Sequence, residues 1–179
     1  MAQKRKKVLF ITGPLNGGGA ERVLVDVLRH WDRERADVDL LQVVGGGILD
    51  ALVPEWVGRL RAWPGYCRGF SLAYNLSRSL HIHWPLRHRL RRACGGSLDG
   101  YDAVVSFLEG LPLLCHALVA PRSAVNVSWV HSDIYTAPYE RAQFGSEERE
   151  CRAYAAMDAV VGVSDGVVSA FRRRFPSLK

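Results

Sequence analysis

A small set of residues in this chain has the types and spacing to do chemistry. Gly17, Gly18 and Gly19, with Glu21 just beyond, follow a short apolar run at residues 8–12. They open a helical stripe in which Ala20, Val23, Leu24, Val27, Leu28 and Trp31 fall at i, i+3, i+4, i+7, i+8 and i+11. Glycines let the backbone come close to a ligand. The first turn of a helix offers unpaired N–H groups at the positive end of its dipole. That combination suits a phosphate or another anion. The dinucleotide fingerprint G-x-G-x-x-G fails, because Arg22 stands at its third glycine, and no Gly-Lys-Ser/Thr ending follows. A tight turn that packs a helix on a sheet is the plain alternative.

The other candidates stand just after apolar runs: Glu109, His131, Asp133 and Ser164. A histidine at a strand end can donate a hydrogen bond or take part in proton transfer, and it can equally be structural. Glu109 lies between Leu108 and Gly110, a poor place for a charge unless it faces a cleft. Asp133 also suits a turn cap and Ser164 a helix N-cap. The four cysteines are scattered, with no C-x-x-C pair. Neither zinc nor redox chemistry is signalled, and no metal or cofactor is expected.

These residues need elements to hold them. Strands are predicted at residues 8–12, 38–44, 102–108, 124–130 and 159–163. Helices are predicted from Ala20, as a short piece within 48–56, around 72–80 and 86–94, and over 111–118, 147–157 and 164–175. Ser146 and Ser164 are the expected N-caps of the last two. Alternating strand and helix implies an α/β fold, a Rossmann-like doubly wound parallel sheet with helices on both faces. Ligands of such sheets bind beyond the carboxyl ends of the strands, where the glycine loop, Glu109, His131, Asp133 and Ser164 would converge.

At 179 residues the chain is long enough for one domain with a real core. No run of 18 apolar residues occurs, so no transmembrane helix is expected. The basic start at residues 4–7 leads straight into the first strand rather than a signal-peptide core, and a cytoplasmic protein is expected.

Gly17-Gly18-Gly19-Ala20-Glu21-Arg22-Val23-Leu24 after a first strand resembles the N-terminal domain of GT-B glycosyltransferases of family 4. Residues 102–110 resemble that family's strand-and-loop element. Trp129-Val130-His131-Ser132-Asp133 is similar to the Trp-x-His-x-Asp element of polysaccharide-building members. Residues 154–167, ending in Ser164-Asp165-Gly166-Val167, resemble its closing stretch. The resemblance runs in order from about Lys7 to Pro176. It implies that residues 1–179 form one Rossmann-like domain, the acceptor-side half of a GT-B enzyme. The C-terminal donor-binding domain is absent, to be supplied in cis or by a partner chain, and little catalysis is expected without it. It implies sugar transfer with retention from a nucleotide-sugar to a lipid-linked or glycan acceptor, with no essential metal. His131 would contact the transferred sugar, with Glu109 beside it as a catalytic candidate. Gly17, Gly18, Gly19, Glu21, Asp133 and Ser164 would meet substrate or its diphosphate.

Charge adds a further expectation. Between Trp56 and Leu98 there are eight arginines and no Asp or Glu, with aromatics interleaved. Arg59, Arg61, Arg87, Arg89, Arg91 and Arg92 are candidates to bind acceptor or an anionic membrane surface, peripherally on the inner face of the plasma membrane. A solvated basic face is the plain reading. No helix-turn-helix, RNP or zinc-finger signature is present, so nucleic acid is not expected as a partner. A non-catalytic basic domain of Rossmann type is the alternative function.

Overall fold

The apolar runs become six parallel strands. The computed structural model describes residues 5–136 and 141–178. The strands are β1 (Lys6–Thr12), β2 (Ala36–Val44), β3 (Gly58–Trp63), β4 (Ala103–Ser106), β5 (Val125–Val130) and β6 (Ala159–Gly162). They form one sheet in the order β3-β2-β1-β4-β5-β6, and every neighbouring pair is parallel. Strands covered on both faces read as continuous apolar runs. β1 accordingly sends Leu9 and Ile11 into one core cluster and Phe10 into the other.

Helices cover both faces. α1 (Gly19–Arg29) buries Leu24, Val25 and Leu28 against Phe10, Leu40 and Val105. Each such side chain contributes roughly 2 kcal/mol by leaving water. α2 (Arg68–Leu80), α3 (Trp84–Ala93) and α4 (Leu111–Val119) cover the opposite face. Phe70, Ala73, Leu86, Leu90, Cys115 and Val119 pack there on Leu9, Ile11, Leu41 and Val104. α5 (Arg141–Phe144), α6 (Glu147–Ala155) and α7 (Asp165–Arg174) complete the chain. Ser146 and Ser164 are the N-caps foreseen: their hydroxyls accept from the Arg149 and Val167 amides, each at 3.3 Å.

Two expectations are corrected. The helical piece within 48–56 is only a 3₁₀ turn at Asp50–Leu52. β3 was not foreseen. It is an edge strand carrying Arg59 and Arg61, and its one signal is the alternation of those arginines with Leu60 and Ala62. Arg172, Arg173 and Arg174 lie in the last turn of α7, and Arg174 turns inward to Glu150 at 2.6 Å, a pair almost wholly buried.

The strand order places a switch point between β1 and β4. The chain leaves β1 toward β2 on one side, while β4 and β5 lie on the other. Sheets of this kind bind their ligands at such a point, in a crevice outside the carboxyl ends of the strands.

Candidate functional site

Two loops form one wall of this crevice and are tied together. The Leu15 amide donates to the Gly46 carbonyl, and the Leu49 amide donates to the Leu15 carbonyl, both at 3.0 Å. Gly47 sits so close that an added Cβ would lie 2.2 Å from the Leu15 carbonyl oxygen, at a φ of +119°. Only glycine meets both conditions. Gly17 also has a left-handed φ, +111°, and an added Cβ would press on Ile48 at 2.9 Å. At Gly18 the nearest atom to an added Cβ is the Glu21 carboxyl carbon at 3.6 Å, and at Gly19 nothing lies within 4 Å. The steric demand for glycine therefore falls on Gly17.

The amides of this loop are already engaged. Glu21 Oε2 accepts from the Gly17 N–H at 2.6 Å and from the Gly18 N–H at 2.9 Å. A carboxylate in the first helical turn also suits the dipole. Glu21 thus stands where the sequence suggested an external anion. Below it, the Thr12 hydroxyl at the end of β1 is buried with no hydrogen-bond partner.

The other wall is built on β4 and β5. The Phe107 amide donates to the Ile11 carbonyl at 3.0 Å, which extends the β1–β4 ladder by one step. The Phe107 ring stacks on Trp129 at 4.8 Å and lies 4.8 Å from the His131 ring. Glu109 was expected to face a cleft; it is instead buried and spends both oxygens on the β5 loop. Oε2 accepts from the His131 amide at 2.9 Å, and Oε1 accepts from the Ser132 hydroxyl. Glu109 therefore fixes the backbone that carries His131.

The His131 ring bonds the Phe107 backbone, and its Nε2 is buried without a partner. Nδ1 is then the nitrogen that donates to Phe107, so the neutral ring carries its lone pair on Nε2. Burial lowers the His131 pKa, while the Glu109 charge and the Phe107 carbonyl act in the opposite direction. A neutral imidazole with an open acceptor can take a hydrogen bond from a hydroxyl. Because Nε2 is covered, a ligand reaches it only with a local shift.

The remaining candidates sit elsewhere or are otherwise employed. Asp133 is exposed, and its Oδ1 accepts from the Tyr135 and Thr136 amides, both at 3.0 Å. Its bonds to Thr136, first of all to the backbone, hold the carboxyl below the usual carboxylate range. Ser164 spends its oxygen on the Val167 amide.

The arginines divide into two groups. The stretch lacks acids in sequence, but Asp50 pairs in space with Arg59 at 3.1 Å and Arg61 at 3.0 Å. Gln42, fully buried, donates to the same carboxylate at 2.7 Å. Arg89 donates to the Ala62 carbonyl at 2.7 Å, on the β3 edge, and lies over Trp63. Two of the aromatics interleaved with these arginines, Trp63 and Phe70, are core residues. Arg87, Arg91 and Arg92 remain exposed.

One polar cluster escaped the sequence reading. His116, on α4, is fully buried. Its Nε2 donates to Asn126 Oδ1 at 3.0 Å, because the Asn126 amide nitrogen is spent on the Pro121 and Ala124 carbonyls. Its Nδ1 accepts from the Ser106 hydroxyl at 3.1 Å. Burial pushes its pKa down to about 4. Among the described residues, no three His, Cys, Asp or Glu converge as a metal site would require. No described helix is long and apolar enough to cross a membrane.

Neither a protein-family model nor a curated protein sequence matches the chain. Among solved structures it is similar to Alr3699/HepE of Anabaena, determined in complex with UDP and glucose, at 18% identity and a TM-score of 0.56. The match covers 95% of this chain and 41% of that one, so this chain spans about two fifths of that protein's length. At this identity the likeness is one of fold, and it agrees with the doubly wound α/β sheet read from the sequence.

Proposed function

We propose that this chain is the acceptor-side half of a retaining glycosyltransferase. It would act on a nucleotide-sugar donor and a lipid-linked or cell-surface glycan acceptor. The observation that carries the reading is His131. It is a neutral imidazole at the carboxyl end of β5, oriented through Phe107 and held by a loop clamped to Glu109, with Nε2 left without a partner. A sugar hydroxyl donating to Nε2 would be fixed in position at the switch-point crevice, where such sheets bind ligands. The fold shared with a protein crystallised with UDP and glucose supports the donor class.

On this reading the donor nucleotide is held by a second domain, in cis or from a partner chain, and the reaction needs no essential metal. The glycine loop approaches the diphosphate from the opposite wall once Glu21 releases the Gly17 and Gly18 amides. His131 acts by hydrogen bonding to the sugar, and Glu109 acts through the loop it clamps.

The test is a sugar-transfer assay on this chain joined to its nucleotide-binding half. His131→Ala is expected to lower turnover by about a hundredfold or more, with little change in melting temperature. Turnover per folded molecule kept at the native level would refute the assignment. It would favour the non-catalytic basic domain instead.

A further inference from the structure

The outward face of α3 has a composition that the sugar-transfer reading does not use. Leu86 and Leu90 are fully buried and fix the inner face of this helix. Trp84, Arg87, His88, Arg91 and Arg92 then fall at i, i+3, i+4, i+7 and i+8 on the outer face, and all five are exposed. With Gly95 and Gly96 they line a hollow of about 580 Å³. Among the described residues no ion pair engages Arg87, Arg91 or Arg92, in contrast to Arg59 and Arg61. Their charge is therefore uncompensated by the protein.

Just before this cationic stripe the chain exposes large apolar side chains across the α2–α3 connection. Leu80 ends α2 with 63% exposure, Ile82 follows at 40%, and Trp84 begins α3 at 64%. Cations next to exposed aliphatic and indole groups match an interface that is anionic at its surface and apolar just beneath. A nucleic acid would match the cations but leave Leu80 and Ile82 in water.

We infer that the outer face of α3 docks on an anionic phospholipid surface, with Arg87, Arg91 and Arg92 at the headgroup phosphates and Leu80, Ile82 and Trp84 seated at the acyl boundary. This narrows the docking set from the six candidate arginines to three. It excludes Arg59, Arg61 and Arg89, which the fold employs. The site is separate from His131, so it stands or falls without reference to sugar transfer.

The experiment is co-sedimentation of the full chain with vesicles of phosphatidylcholine alone and of phosphatidylcholine mixed with phosphatidylglycerol. Binding is expected to the mixed vesicles and to weaken with salt, since exposed charges are screened over about 8 Å at physiological ionic strength. An arginine at such a surface is worth about fivefold in affinity, so Arg87→Glu/Arg91→Glu/Arg92→Glu should lose about a hundredfold or more at an unchanged melting temperature. The corresponding glutamine triple variant serves if charge reversal unfolds the chain. Vesicles should shift tryptophan emission to the blue, and Trp84→Ala should lose most of that shift. Equal binding to both vesicle types, or none to either, would overturn the proposal. So would full binding by the triple variant, an undiminished shift in Trp84→Ala, or a preference for duplex DNA over the mixed vesicles.

Discussion

Glu21 folds back onto Gly17, its carboxylate 2.6 Å from the amide that the glycine loop presents. The contact does two things at once. It caps α1, and it fills with the chain's own carboxylate the amides that would otherwise meet an anion. Replacing Glu21 by Ala is expected to cost about 1 kcal/mol of stability, the usual worth of a capping contact. The same variant should bind inorganic pyrophosphate more tightly than the native chain. Denaturant melts read the first effect and titration calorimetry the second. Weaker pyrophosphate binding in the variant would show that the carboxylate is not a competitor for the loop.

Gly17 and Gly18 should behave differently on substitution. Gly17→Ala forces a side chain into a left-handed backbone and against Ile48, and is expected to cost about 1–2 kcal/mol. Gly18→Ala meets only ordinary contacts at an allowed φ and should shift stability by less than about 0.5 kcal/mol. Thermal unfolding of the two variants side by side is sufficient. Equal losses would mean that the loop conformation is not as described.

His116 predicts an acid-sensitive fold. Its pKa is about 4 in the folded chain against an ordinary value of 6.5. Between those values the unfolded chain binds more protons than the native one, so stability falls as pH falls. The full effect is on the order of 3 kcal/mol, present above pH 6.5 and lost by about pH 4. His131 and His83 are lowered as well, chiefly by burial, and act in the same direction. Urea melts at several pH values should show a smaller pH-dependent loss for His116→Gln than for the native chain.

The Glu150–Arg174 pair is the most stringent stability test. Both side chains are nearly inaccessible, and Arg174 also donates to the Ile134 carbonyl at 2.5 Å. Arg174→Ala removes the guanidinium from a buried carboxylate and should cost about 3–5 kcal/mol. Replacing both members by apolar residues of similar size should recover most of that. A denaturant series on the single and double variants measures it. A single variant within about 1 kcal/mol of the native chain would contradict the burial of the pair.

Elements whose signal is local were readable from the sequence. The central strands announce themselves because both their faces are covered. Ser146 and Ser164 were legible as caps because a cap acts within three residues. Glu109 was legible as a charge in an unusual place, but not as one whose two oxygens go to the β5 loop. What stayed hidden depends on contacts distant in sequence or on loop shape. β3 is an edge strand in which arginines alternate with Leu60 and Ala62, so no apolar run marks it. Asp50 neutralises Arg59 and Arg61 only once the chain has folded back along β2. His116 looks like any helical histidine until α4 is laid over Ser106 and Asn126. Glu21 reaches Gly17 only because that residue turns its amide with a positive φ.

The tie between the two glycine loops has a thermodynamic consequence. Leu15 donates to Gly46 and accepts from Leu49, and Gly47 lies against the same carbonyl. Neither loop can wander alone, so their conformational freedom is surrendered when the sheet forms rather than when a ligand arrives. This wall is a stiff, preformed surface, and its adjustable part is the Glu21 side chain that stands on it.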